Sequence, residues 1–212
     1  MRKITVFTNY RCASTWFTDT LAQIHKLENL GEWFHHGAPK IKNLSNLNYL
    51  KQQDDWVLKI MPDQYGVIDG LTDTLVELSD SVFYLLRKDF NSQVTSLYIS
   101  SLTNDFRNSW QDTRQLPNQP DLWHLREQQL QANTLELEAV WRKHGVAREL
   151  IWAEDILVRP NPVERAVEFK GKLPTSEFDP TQLFPQPLDP RTAKRLRQIS
   201  QSREAVNALK KF

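Results

Sequence analysis

The chain has 212 residues, a formal net charge of +1 and a single cysteine. That length carries one domain with room for a full sheet and its covering helices. The balanced charge argues against a dedicated nucleic-acid binder, and one cysteine excludes an intrachain disulfide. No run approaches a membrane span or a signal core, so the expectation is a cytoplasmic protein with neither membrane nor nucleic-acid partners.

In chain order, the first element is an apolar strand, Ile4-Thr5-Val6-Phe7. A turn of small and hydroxylated residues follows, Thr8-Asn9-Tyr10-Arg11-Cys12-Ala13, and then a helix predicted from Ser14 to about Glu28. A strand, a tight turn and a helix start are how α/β proteins build anion sites, with unpaired backbone N–H groups and the positive helix end facing the ligand. Arg11 adds a fixed cation inside the turn. The Walker pattern is excluded, because the turn has no glycine and no lysine stands beside Ser14. A CX5R phosphatase loop on Cys12 would need an arginine where Thr18 stands. An ordinary strand-to-helix connection remains the alternative.

Two further apolar runs, Trp56-Val-Leu-Lys-Ile-Met61 and Val82-Phe-Tyr-Leu-Leu86, suit parallel strands buried on both faces, with helical stretches between them. Leu150-Ile-Trp152 reads as a fourth strand. Helices are predicted over about 91–105 and about 121–144; the second places Trp123, Leu130, Thr134, Leu137 and Trp141 on one face and stops at Gly145. This alternation predicts a doubly wound parallel α/β sheet of four to five strands, with ligands beyond the carboxyl ends of its strands. The whole reads as one domain over 1–212, with a core at 3–158 and a C-terminal extension at 159–212. Seven prolines between Pro160 and Pro190 make the start of that extension an irregular strap. A terminal helix is expected from about Arg191 to Lys210, its Arg191, Lys194, Arg195, Arg197 and Arg203 forming either a solvated basic face or a reach toward a nucleotide.

The residues Tyr10-Arg11-Cys12-Ala13-Ser14-Thr15-Trp16 are similar to the 5′-phosphosulfate loop of sulfotransferases, commonly Pro-Arg-Ser-Gly-Ser-Thr-Trp. Arg, Ser, Thr and Trp coincide; Tyr10, Cys12 and Ala13 depart. A second stretch, Arg87-Lys88-Asp89-Phe90-Asn91-Ser92-Gln93-Val94-Thr95-Ser96, resembles the 3′-phosphate motif, an arginine at a strand end followed by a serine-bearing helix. The chain therefore resembles the sulfotransferases that use 3′-phosphoadenosine 5′-phosphosulfate (PAPS), in particular the bacterial trehalose 2-sulfotransferase-like group. The resemblance spans roughly residues 3–158. It implies a P-loop-like fold, PAPS as co-substrate, no metal, and a small-molecule hydroxyl acceptor such as a sugar. Arg11, Cys12, Ala13, Ser14, Thr15 and Trp16 would hold the 5′-phosphosulfate, and Arg87, Ser92 and Ser96 the 3′-phosphate.

The same resemblance gives Glu32, in a Glu-aromatic-Phe context, the role of general base, with His35 and His36 as competing candidates. Lys59, in a Trp-x-x-Lys-x-Met spacing, would help neutralise the sulfuryl group; its alternative is a structural salt bridge. Leu150-Ile-Trp-Ala-Glu154-Asp155 resembles a structural Tyr-Glu-Asp-Leu segment, and Phe169-Lys-Gly-Lys172 a lysine–glycine loop that covers the nucleotide. Two other classes stay open: a divergent P-loop kinase or nucleotide-binding protein requiring Mg²⁺ and ATP, and a non-catalytic binding module of the same fold. A homodimer is compatible with either enzyme reading.

Overall fold

A computed structural model describes residues 2–35, 37–104, 116–144, 149–156, 169 and 171–184. Five strands form one parallel sheet: β1 (Arg2–Thr8), β2 (Glu28–Glu32), β3 (Asp55–Ile60), β4 (Ser81–Leu86) and β5 (Glu149–Trp152). Their order across the sheet is β2-β3-β1-β4-β5. Helices α1 (Ser14–His25), α2 (Lys40–Gln52), α3 (Leu71–Leu78), α4 (Phe90–Thr103), α5 (Pro120–His144) and the short α6 (Ala153–Ile156) connect or cover the strands. This is a P-loop-like doubly wound α/β sheet.

The central strand shows why the sheet is buried on both sides. Along β1, Ile4 and Val6 join Phe17 and Leu21 of α1, while Phe7 turns to the other face with Leu58, Tyr84 and Leu137. Alternate residues thus feed two cores, and near-continuous apolar runs result. Crossing from β1 to β2 skips over β3, and crossing from β3 to β4 skips back over β1. The chain therefore reverses direction at β1, the switch point where open α/β sheets leave a crevice beyond their carboxyl ends.

The strand β2 was not expected, since the first helix was predicted to run to about Glu28. It stops at His25 because Lys26 takes a left-handed conformation (φ 56°) and Leu27 N–H donates back to Ala22 O at 2.9 Å. That is a helix stop of the glycine kind built on a lysine, so no glycine marks it. β2 is also an edge strand in which only Leu30 is buried, and Gly31 (φ 59°) sits at a register shift against β3. It carries no apolar run to announce it. Its discovery moves Glu32 from a helix end to the carboxyl end of a strand. The strands expected third and fourth are accordingly β4 and β5.

The long helix agrees closely with its predicted stripe: Trp123, Leu130, Thr134, Leu137 and Trp141 are all buried. Between the predicted terminal helix and the described residues there is no overlap; 191–210 lies outside them. The described part of the strap, 171–184, contains a single short 3₁₀ turn, Pro180–Gln182.

One buried amide ties the sheet's end to that long helix. Asn9, directly after β1 and wholly buried, donates from Nδ2 to Leu130 O at 3.1 Å and to Thr134 Oγ1 at 3.0 Å. Its Oδ1 accepts from Tyr10 N–H at 2.8 Å and from Asn133 Nδ2 at 3.2 Å. All four hydrogen-bonding capacities of the side chain are used. Replacing Asn9 by alanine strands several buried polar groups at once, so Asn9→Ala is expected to cost about 2–4 kcal/mol. Urea unfolding checks this: the midpoint should fall without a change in slope, and a loss within experimental error would contradict the clamp.

Candidate functional site

The carboxyl ends of β1 to β4 bring most of the expected residues together. The turn after β1 is shaped by two residues with positive φ, Arg11 (60°) and Ala13 (57°), the latter at the N-cap of α1. L-residues pay about 1–2 kcal/mol for that conformation, so other contacts must hold it. Gln93 of α4 supplies one, its Nε2 donating to Tyr10 O at 2.6 Å, and Arg87 Nη1 lies 3.5 Å from Arg11 O. The turn's carbonyls are thus engaged from behind. Among the described residues, none accepts from the N–H groups of Ala13, Ser14 or Thr15, which open α1. Unpaired donors at a helix start are the kind of arrangement that can receive an anion.

A chain of polar contacts runs across the mouth. Lys59, near the end of β3, is 7% exposed, and its Nζ sits 2.8 Å from Glu32 Oε1 and 2.8 Å from Thr15 Oγ1. Glu32 and Lys59 are register partners on neighbouring strands, which places their side chains on the same face. Val6 is the register partner of Lys59 on β1 and packs under α1, so the ammonium emerges beneath the first turn of that helix. On the other side of the turn, Arg11 Nε donates to Ser96 Oγ at 2.8 Å. Arg87, immediately after β4, has its Nε 3.6 Å from Glu154 Oε1. The Arg11 and Arg87 positions are therefore adjacent, not on opposite faces.

Other candidates are placed differently from expectation. Cys12 is 1% exposed, and its Sγ faces the protein, accepting from Gln93 Nε2 at 3.2 Å. Only its backbone can serve an anion. Trp16 is half-buried and packs against the core under α1. Ser96 is 1% exposed and held by Arg11, so it positions that guanidinium. Ser92 caps α4 with Asp89, whose carboxylate accepts from the Ser92 N–H at 3.0 Å and from its hydroxyl. His35 is exposed; its backbone exchanges hydrogen bonds with Asn43 of α2, and its ring forms no hydrogen bond or ion pair with Arg11, Thr15 or Lys59. His36 lies outside the described residues.

Three residues that shape the site were not assigned a role from sequence. Asn9 anchors the turn; a polar residue straight after an apolar strand was its signal. Gln93 holds the turn from behind. Glu154, read as part of a structural segment, accepts from the N–H groups of Lys88 and Asp89 at 2.9 and 3.1 Å while facing Arg87. An acid opening the helix after β5 is well placed to brace its neighbour's strand end.

Beside α4, Asn91, Ser92 and Thr95 face Lys172, Leu173, Pro174 and Thr175 of the strap across an open groove of about 370 Å³. Asn91 pins the strap there, donating to Ser176 O at 3.2 Å and accepting from Ser176 N–H at 2.7 Å. Gly171 (φ 104°) takes a backbone conformation that a side chain would strain. Among the described residues, no group of three or more His, Cys, Asp or Glu is arranged to hold a metal ion. Likewise no helix there is long and apolar enough to cross a membrane.

No family model and no curated protein matches this chain. Among solved structures, the crystal structure of the YorR protein from Bacillus subtilis in complex with phosphorylated GDP aligns at a TM-score of 0.47 and 9% identity. The alignment covers 72% of this chain and 86% of that one. At that similarity the site has to be read from this chain's own residues.

The environment of Cys12 gives a direct check on the turn. Burial pushes its thiol up from 9.0 to about 12, with the nearby Arg87 charge opposing only in part. The folded state therefore keeps the neutral thiol, and its stability falls as pH rises from about 9 toward 12, where only the unfolded chain ionises. At pH 9 the native thiolate fraction is about a thousandth. Ellman's reagent should accordingly label unfolded protein within minutes and leave the native protein unlabelled at pH 8; rapid native labelling would show the turn to be open.

Proposed function

We propose that this chain is a PAPS-dependent sulfotransferase that transfers a sulfuryl group to a hydroxyl of a small-molecule acceptor. The observation that carries the reading is the continuous array Glu32–Lys59–Thr15, the donors of the Ala13–Thr15 turn, and Arg11 with Arg87 behind it. Two cationic positions on neighbouring strand ends suit a nucleotide with phosphates at both its 5′ and 3′ ends. Arginine forks are matched to such groups.

In this reading the 5′-phosphosulfate lies on the N–H groups that open α1, with Arg11 and Lys59 on either side. Arg87 takes the 3′-phosphate, and the groove between α4 and the strap lies alongside it, with Ser92, Thr95 and Lys172 on its walls. Glu32, 37% exposed at its side chain and beside Lys59, faces the acceptor side. The acceptor hydroxyl gives its proton to Glu32 as its oxygen attacks sulfur. An O–S bond forms, the S–O bond to the 5′-phosphate breaks, and the electron pair leaves on that phosphate oxygen. Backbone donors, Arg11 and Lys59 stabilise the charge that develops there. Lys59 is the group best placed to follow the sulfuryl oxygens, since it already bridges the base and the turn.

Calorimetry with adenosine 3′,5′-bisphosphate tests the assignment. Saturable binding is expected, weaker by at least about tenfold with AMP, and Arg87→Ala should remove that preference. Glu32→Gln should bind the bisphosphate normally and lose turnover with PAPS by about a hundredfold or more. No saturable binding, or equal binding by AMP, would reject the 3′-phosphate site; undiminished turnover in Glu32→Gln would reject Glu32 as the base.

A further inference from the structure

Around the Tyr10 hydroxyl three charged side chains meet from three different elements: Glu32 of β2, Asp63 of the 3₁₀ turn after β3, and Arg126 of α5. We infer that this region binds an anionic group on the acceptor, and that Arg126 recognises it. That the bound group belongs to an acceptor rests on the sulfotransferase reading; the anion subsite itself does not.

The placement of Arg126 follows from the register of α5 on the turn. Asn9 fixes that register through Leu130 O, Thr134 Oγ1 and Asn133 Nδ2. Arg126 stands one helical turn before Leu130 and two turns before Asn133, on the same side of the helix. It is therefore brought beside Tyr10, and its charge does act on the Tyr10 hydroxyl. So do the carboxylates of Asp63, which faces that hydroxyl from the 3₁₀ turn after β3, and of Glu32. Burial first of all, and then these two acids, push the phenol well above its ordinary range, despite Arg126. Tyr10 stands where the sulfotransferase loop commonly has proline, so this arrangement belongs to this chain's own substitution.

The guanidinium is incompletely satisfied. Nη1 donates to the neutral Gln129 Oε1 at 2.8 Å, and the buried Nε has no acceptor. Among the described residues no carboxylate forms a salt bridge with Arg126, whereas Lys59 has Glu32 and Arg87 has Glu154. A buried donor on a charged group is costly to leave unmet, and such a group in a native structure calls for a ligand or water. The fork of an arginine suits a carboxylate, a sulfate ester or a phosphate ester. The acids Asp63 and Glu32 also act on the Tyr10 hydroxyl and favour hydroxyl donors over a second anion. The subsite thus fits a molecule that carries hydroxyls together with one negative group.

Paired ligands differing only in that charge test the subsite. Glucuronate, galacturonate and 4-hydroxybenzoate are titrated into the full chain, each against its own methyl ester, with and without adenosine 3′,5′-bisphosphate. At least one acid should bind about tenfold tighter than its ester. Arg126→Met should erase that ratio, Arg126→Lys should restore part of it, and both should keep the wild-type bisphosphate affinity. The inference is overturned if no acid exceeds its ester, or if the ratio survives in Arg126→Met. A surviving acid preference with no bisphosphate binding would instead reject the sulfotransferase reading and leave the anion subsite standing.

Discussion

The geometry of the whole site depends on a single buried amide. Asn9 stands at the point where the central strand ends and has no exposure, so each of its polar atoms must be matched inside the protein. Its oxygen turns the chain by accepting from Tyr10 N–H, and its nitrogen grips α5 through Leu130 and Thr134. The turn and the long helix are therefore set by one side chain. A hydrophobic contact could bring α5 to the sheet, but it would tolerate sliding by a fraction of a turn. Directional hydrogen bonds to a carbonyl, a hydroxyl and an amide do not. Only with α5 in this register do Arg126 and Tyr10 meet.

Charge compensation gives the site its second organising rule. Lys59 emerges from an apolar strand and is nearly buried, a position that is expensive for an unpaired ammonium. Glu32 on the next strand and Thr15 on α1 meet it from two directions. Arg87 is treated likewise by Glu154, which at the same time accepts the backbone N–H groups of the segment that follows β4. Each of these cations is held in place by an acid set behind or beside it. Such positioning fixes the cations before any ligand arrives, so binding pays little for ordering them. It also means that an anion has to compete with a carboxylate, which favours ligands of high charge over monoanions.

Much of this was legible in the sequence. The apolar runs at Ile4, Trp56, Val82 and Leu150 gave strands, because strands buried on both faces need continuous apolar residues. The stripe from Trp123 to Trp141 gave α5, and the resemblance at Arg11 and Arg87 gave two positions that prove to be adjacent. What was missed has physical reasons. The edge strand β2 is polar and follows a helix stop built on Lys26, so neither hydrophobic pattern nor glycine announces it. Ser92 and Ser96 share a helical face with a phosphate motif, yet one is taken up in capping α4 and the other is buried against Arg11. Spacing places a side chain on a face; it does not say which neighbour reaches it first. His35 shows the same limit, since its nearness in sequence to Glu32 is undone where the chain leaves β2 for α2.

The two sides of the site differ in how tightly they are closed, and the difference has chemical sense. On the α4 side the strap is pinned by a reciprocal pair of hydrogen bonds between Asn91 and Ser176, and it presents backbone, prolines and Lys172. A wall of that kind can hug a ligand of constant shape, such as a nucleotide. Away from the strap, Glu32 is only partly covered and Asp63 is exposed, while Arg126 and Tyr10 are half-buried. Charged groups of both signs at an open mouth discriminate by the pattern of charge on the incoming molecule, not by its volume. Ala13 fits this division. In its left-handed conformation it adds a methyl group where a glycine would leave bare backbone. Under the proposed function that cost falls where the 5′ end of the nucleotide lies, while the part that faces the acceptor stays open.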